Sequence, residues 1–248
     1  MLLVARQRHL SKAPIQEALI DFRVALSPDF RVESFNALKI ELAAQYPQID
    51  EQHVSQSTFD VKGRTFSPTM SSLRGYLLKS ADNRSIVQFR TDGFTFNRLP
   101  PYVSFEELMT EALPAWTRYV DVASPSIVTR VALRYINRLE YTEQTLELAN
   151  VLEAPPKRPN GAPGVMTTFL SRISTHEPKS GIAVNLVTSI ETPVSRPGVS
   201  VLIDIDAYKA GEFQTGRGAL SRELEALRKV KNDVFFSTIT EATAQQYE

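Results

Sequence analysis

The longest alternating run in the chain is Ile127–Tyr141, IVTRVALRYINRLEY. From Arg130 onward, Val131, Leu133, Tyr135, Leu139 and Tyr141 fall on one parity. Arg130, Ala132, Arg134, Ile136, Arg138 and Glu140 fall on the other. Successive side chains of a strand point to opposite faces, so this pattern predicts one long strand with an apolar face and a largely charged one. Pro125 and Ser126 mark its start. The apolar face is expected to pack on helices.

The rest of the chain reads as elements around that strand. Residues 17–26 alternate, with Ala18, Ile20, Phe22, Val24 and Leu26 opposite Glu17, Asp21 and Arg23. Phe35, Leu38, Leu42 and Tyr46 recur at helical spacing and predict a helix over 32–46, stopped by Pro47. Residues 52–61 read as an edge strand and 63–72 as a polar loop. A meander over 75–80, 85–91 and 93–98 follows, with turns at Ala81-Asp82-Asn83 and Asp92-Gly93. A helix is expected over 104–120, with a kink or break at Pro114. After the central strand come a short helix at 142–152 and a loop at 155–163. Three strands are expected at 165–174, 181–190 and 199–208, with turns at 178–181 and 193–198. A helix at 219–230 and a helical continuation over 234–247 end the chain.

This order predicts an α+β fold: a largely antiparallel sheet with helices on one face. The elements suggest two pseudo-repeated β-α-β-β-β-α halves, residues 1–124 and 125–248, joined in one globular unit. IQEALIDFRVAL aligns on VTRVALRYINRL, setting Glu17 against Arg130 and Asp21 against Arg134. If the two leading strands pair, these acids and arginines neutralise each other.

Charge and composition narrow the function classes. The 248 residues suit one large domain or two small ones, and a 42% hydrophobic content supports a substantial core. Lys plus Arg equals Asp plus Glu at 28 each, which argues against general nucleic-acid binding. The absence of cysteine removes disulfides, thiolate catalysis and Cys-ligated zinc or iron–sulfur centres. The apolar run before Arg6 is too short for a signal-peptide core, and no run approaches the ~20 residues of a membrane span. The expectation is a cytoplasmic protein with no membrane association.

Candidate chemistry is sparse. Arg130, Arg134 and Arg138, with Arg90 nearby on an open face, would suit a small anion, since guanidinium forks match carboxylate and phosphate. A solvated or salt-bridged sheet face is the more ordinary reading. Asp204 and Asp206, two apart in LIDIDAY, share a strand face and would suit Mg²⁺ or Mn²⁺, or simply form a polar face. His9, His53 and His176 lack metal-ligand spacing. Gly216-Arg217-Gly218 precedes a helix without dinucleotide or P-loop spacing, and Ser221 is a candidate N-cap. Phe94 and Phe96 share a face, with Phe89 near them. Core burial is the expected reading and base stacking the alternative, with Arg90 and Arg98 flanking the open face. No nucleophile elbow, zinc-protease or kinase motif is present.

Five stretches together carry a resemblance: API-x-EALIDFRV, FRTDGFTFNRLPPY, RVALRYINRLEY, LIDIDAY and FFSTITEAT. In combination they resemble a sporadically distributed family of uncharacterised bacterial proteins of similar length, from Ala13 to the C-terminus. The resemblance implies neither catalytic residues nor a cofactor. The family's patchy distribution resembles that of accessory genes, including defence and toxin–antitoxin cassettes. The expectation is a non-enzymatic module that binds a small anionic ligand or a protein partner, as a monomer or homo-oligomer. The alternative is a metal-dependent enzyme acting on nucleotides or nucleic acid through Asp204, Asp206 and the arginines.

Overall fold

A computed structural model describes residues 4–56, 70–143, 146–164, 166–191 and 198–248. In chain order the strands are β1 (Ile15–Ala25), β2 (Gln48–Gln56), β3 (Met70–Lys79), β4 (Ser85–Arg90), β5 (Gly93–Arg98), β6 (Ile127–Tyr141), β7 (Leu170–Glu177), β8 (Ile182–Glu191) and β9 (Val199–Phe213). The helices are α1 (Asn36–Leu42), preceded by a 3-10 turn at Val32–Phe35, then α2 (Phe105–Ala123), α3 (Arg217–Thr238) and α4 (Glu241–Gln245). The nine strands among the described residues form one antiparallel sheet in the order β2-β3-β4-β5-β1-β6-β9-β8-β7.

The central strand lies where its alternation places it. β6 pairs with β1, with Leu19 opposite Arg134 and Asp21 opposite Ala132. Its other edge pairs with β9, with Arg134 opposite Asp206 and Ile136 opposite Asp204. Each leading strand also pairs with the last strand of its own meander, β1 with β5 and β6 with β9. The two halves are not copies in detail. The first contributes a four-strand meander and a helix after its leading strand; the second contributes three strands and a 3-10 turn at that point.

One sheet face is apolar and covered. Ile20, Phe22, Phe89, Phe94, Leu133 and Ile205 are fully buried there, facing Leu38, Trp116, Tyr119, Leu220 and Leu224 from the helices. Trp116 meets Phe22 edge-on at 4.8 Å between ring centroids, and Tyr119 stacks on Trp116 at 5.3 Å. Such aromatic pairs add about 0.5–1.5 kcal/mol each beyond their area burial. The three phenylalanines of the meander are therefore core.

Several local expectations change. Among the described residues of 142–152 no α-helix forms; there is a 3-10 turn at Leu148–Asn150. The backbone there bonds the C-terminal segment instead: Thr240 N donates to Val151 O and Glu153 N to Thr238 O, both at 3.0 Å. Pro114 does not break α2, which runs unbroken over Phe105–Ala123. Proline removes one helical hydrogen bond, and burial of Ala112, Ala115 and Trp116 around it holds the helix to the sheet. The charged helix and its continuation are one 22-residue helix, α3, followed by α4. The N-cap of α3 is Gly216 rather than Ser221, whose hydroxyl donates back to Arg217 O at 2.9 Å. The second half of the expected edge strand, most of the loop at 63–72, and the turn at 193–198 except Gly198 lie outside the described residues. Among the described residues no helix is long and apolar enough to cross a membrane.

Candidate functional site

The open face of the sheet carries the predicted site residues. Asp21 sits near its middle. Its Oδ2 accepts from Arg90 Nη2 and Thr95 Oγ1, both at 2.8 Å, and its Oδ1 from Arg130 Nη1 at 3.2 Å and Arg23 Nε at 3.3 Å. Arg130 turns its Nη2 to both oxygens of Asp206, at 3.0 and 2.8 Å, and lies over the Tyr208 ring. Arg134 grips Asp204 through two bonds, at 2.7 and 2.5 Å. Arg138 pairs with Glu191 at 3.0 Å.

These contacts join into a chain that crosses the sheet. Gln52 donates to Gln88, whose carbonyl oxygen also accepts from Arg90. Arg90 leads to Asp21, Arg130 and Asp206; Asn185 donates to Asp206 and accepts from Ser174. The path runs from β2 at one edge to β7 at the other. A branch runs through Asp92, which accepts from Arg90 at 3.2 Å and Arg74 at 3.0 Å and also pairs with Arg23. Arg74 reaches it because the β2–β3 register slips between Gln52 and His53, leaving Arg74 as an extra residue.

Charge in this lattice is balanced. Arg23, Arg74, Arg90, Arg130 and Arg134 face Asp21, Asp92, Asp204, Asp206 and the Glu17 carboxylate that holds Asn97. Burial pushes the Asp21 carboxyl up, but the charge and hydrogen bonds of Arg90, with Thr95 and Arg23, hold it below the usual range. Asp92 is also lowered: burial opposes it, while Arg74, Arg90 and Arg23 prevail. The hydrogen bond to Asp204 raises Arg134 further. A free anion here would have to displace a carboxylate, and a divalent cation at Asp204 and Asp206 would have to displace two arginines. Among the described residues no group of three or more His, Cys, Asp or Glu side chains is placed to hold a metal. Arg98 does not flank this face. It lies on the parity of Phe94 and Phe96 and pairs with Glu107 and Glu111 of α2.

A second concavity lies on the helix side. It is a cavity of about 710 Å³ bounded by the N-terminal segment 7–15, the lead into α2, β6 and the middle of α3. The Tyr102 and Tyr135 hydroxyls meet in it at 2.8 Å. Lys231 Nζ sits 3.9 Å from the centre of the Tyr135 ring. Among the described residues no carboxylate pairs with Lys231. One helical turn earlier, Arg228 stacks over Phe105 and pairs with Glu106 at 2.7 Å and Glu225 at 3.5 Å. Burial and the neighbouring charge of Arg228 push the Lys231 ammonium down to about 7. Burial raises the Tyr102 hydroxyl to about 12 and Tyr135 well above its ordinary value, so both remain protonated donors near neutrality.

None of the sequence-predicted site residues lines this cavity, yet the sequence carries a signal for it. Leu220, Leu224, Leu227, Lys231 and Phe235 follow one another at helical spacing, so Lys231, itself half-buried, stands in line with the buried residues of α3. Asn137 likewise interrupts the apolar parity of β6. It is buried, donates to Ile203 O at 3.1 Å, and lines the cavity. A polar residue on an otherwise apolar stripe is the mark that was available. Compared with models of protein families and with curated proteins, the chain matches none significantly.

Proposed function

We propose that the chain is a non-enzymatic binding module for a small molecule bearing an acidic group, held in the helix-side cavity rather than among the open-face arginines. The observation that carries this reading is Lys231: a cation with no carboxylate partner among the described residues, facing a cavity. Lys231 is half-buried, and a cation withdrawn from water without a carboxylate partner in a concave site points to an anionic partner that arrives from solution. The volume of about 710 Å³ falls in the range of small-molecule sites, and the mixed lining is of the usual kind. Phe105, Phe235 and Phe236 offer apolar contact; Arg228, Tyr102 and Lys231 offer donors.

The test is calorimetry and thermal shift against a panel of small carboxylates and phosphates, on the wild type and on Lys231→Gln. At least one acid should bind the wild type and bind the variant at least about ten-fold more weakly, the equivalent of one charge-assisted contact. A panel without a binder, or a variant that binds equally well, overturns the reading.

A further inference from the structure

We propose that the ligand of this cavity is a small carbonyl compound whose acidic group lies close to its carbonyl, a 2-oxo acid or similar, and that Lys231 holds it covalently as an imine. This rests on the ligand-binding reading above and gives that site a chemical class. Three placements argue for it.

Arg228 and Lys231 stand three residues apart on α3, so their side chains leave the same helix face as neighbours. Arg228 meets both carboxylates through Nη1, and among the described residues neither its Nε nor its Nη2 donates a hydrogen bond to a carboxylate. A fork edge therefore remains for a carboxylate beside an amine that can reach an adjacent carbonyl carbon. That adjacency selects a carbonyl close to the acid rather than a long acid. An ammonium alone would serve for anion binding, but nucleophilic lysines differ from the rest by lying in apolar surroundings next to another cation. Lys231 has this setting: ring faces, Arg228 one turn away, and a proton affinity reduced to about 7, so that free amine is present at neutral pH. Lys79 and Lys209 differ from it in pairing with carboxylates, Asp50 and Glu223.

The hydroxyl pair supplies the proton traffic. The Lys231 amine adds to the carbonyl carbon, a C–N bond forms, and the carbonyl electron pair moves to oxygen. The nitrogen gives up one proton as that oxygen takes one, leaving a carbinolamine. The hydroxyl takes a second proton and leaves as water as the nitrogen lone pair forms the C=N bond, and the nitrogen then releases its last proton to give the neutral imine. Tyr102 and Tyr135, hydrogen-bonded to each other and kept protonated, are placed to pass a proton toward the departing oxygen. The balance is amine plus carbonyl giving imine plus water, with no change of oxidation state.

The experiment uses pyruvate as probe, with lactate as the matched acid lacking a carbonyl. The full chain is incubated with each, treated with sodium borohydride, and read by intact mass and peptide mapping. Binding of both acids is measured separately by calorimetry. The expected result is one adduct, with the mass of pyruvic acid less one oxygen atom, on Lys231 with pyruvate and none with lactate. Lys231→Arg keeps the charge and should retain lactate binding while losing the adduct; its melting curve reports whether it folds. If Lys231→Arg does not fold, blocking of trapping by excess lactate in the wild type replaces it. Binding of both acids without an adduct, or adducts spread over surface lysines, overturns the imine and leaves the binding reading standing. No binding of either acid and no adduct overturns the imine proposal for this ligand class, while the wider panel above decides the binding reading.

Discussion

Arg90 on β4 reaches Asp21 on β1 across the whole width of β5, with 2.8 Å between Nη2 and Oδ2. The residue of β5 lying between them is Thr95, short enough to let the guanidinium pass and able to bond both partners, at 2.6 Å to Arg90 and 2.8 Å to Asp21. The side chains of Arg90 and Asp21 are only 7% and 10% exposed. Removing one partner of such a pair leaves a buried charge without compensation. Asp21→Asn should therefore cost about 3–5 kcal/mol in chemical denaturation. The double replacement Asp21→Leu with Arg90→Met should recover part of that loss, because an apolar pair leaves no charge stranded. Equal losses from the single and the double variants would show that the pair itself is not the source.

The same carboxylates set the acid limit of stability. Asp21 and Asp92 both have folded-state affinities for protons below their ordinary value of 3.8. A depressed carboxyl contributes stability that is fully present above its unfolded value and lost as pH falls through its folded value. Urea midpoints should change little in this respect from pH 7 down to about 5, then fall steeply below about 4. In Asp21→Asn the drop below pH 4 should be shallower, since one of the lowered carboxyls is gone. A wild-type midpoint that is flat to pH 2 would contradict the assignment.

Gln52 bonds Gln88 over β3 because the residue between their strands has no side chain. Gly75 lies opposite both Gln52 and Arg90, and a Cβ built on it would stand 2.0 Å from the carbonyl oxygen of Phe89. That oxygen belongs to the β4 backbone and cannot rotate away. Gly75→Ala should cost about 2 kcal/mol or more and detach the β2 edge from the polar lattice. Hydrogen exchange at β2 and β3 is the measurement; unchanged protection there would refute the steric argument.

The sequence made the face legible but not its partners. Alternation in β6 sets Arg130 and Arg134 on the side away from the helices, and alternation in β1 sets Asp21 there too. What neutralises them comes from strands 69–109 residues away, and strand order decides that. The aligned leading strands matched Asp21 with Arg134; in the sheet Asp21 bonds Arg130, and Arg134 turns to Asp204 on the other side. The place of Arg98 is legible from its parity, which is that of Phe94 and Phe96 and sets it toward α2. Pro114 and the segment at 142–152 were not legible, because tertiary bonding overrode local preference in both. The cavity needs three separate stretches to meet. Of its parts, the lysine on the α3 stripe and the asparagine on the apolar parity of β6 were visible as exceptions to a pattern.

Lys231 gives the opposite pH response from the carboxylates. Its folded-state value is lowered from 10.5 to about 7, so the folded protein prefers the neutral amine. Between those two values the unfolded chain binds a proton that the folded chain does not, and stability rises with pH across that window. The slope from this one group is at most about 1.4 kcal/mol per pH unit, and less if water enters the cavity. Below about 7 the folded protein carries the full cost of protonating this half-buried amine. Lys231→Met keeps the stem and removes the titration, so it should be more stable than the wild type at pH 6 by about 1 kcal/mol or more. The advantage should shrink steadily toward pH 10. Melting temperatures of both proteins across that range decide the matter. A wild-type curve parallel to that of Lys231→Met would mean that the ammonium is well solvated in the folded protein. The lowered proton affinity of Lys231, and with it the free amine at neutral pH that an imine requires, would then be refuted.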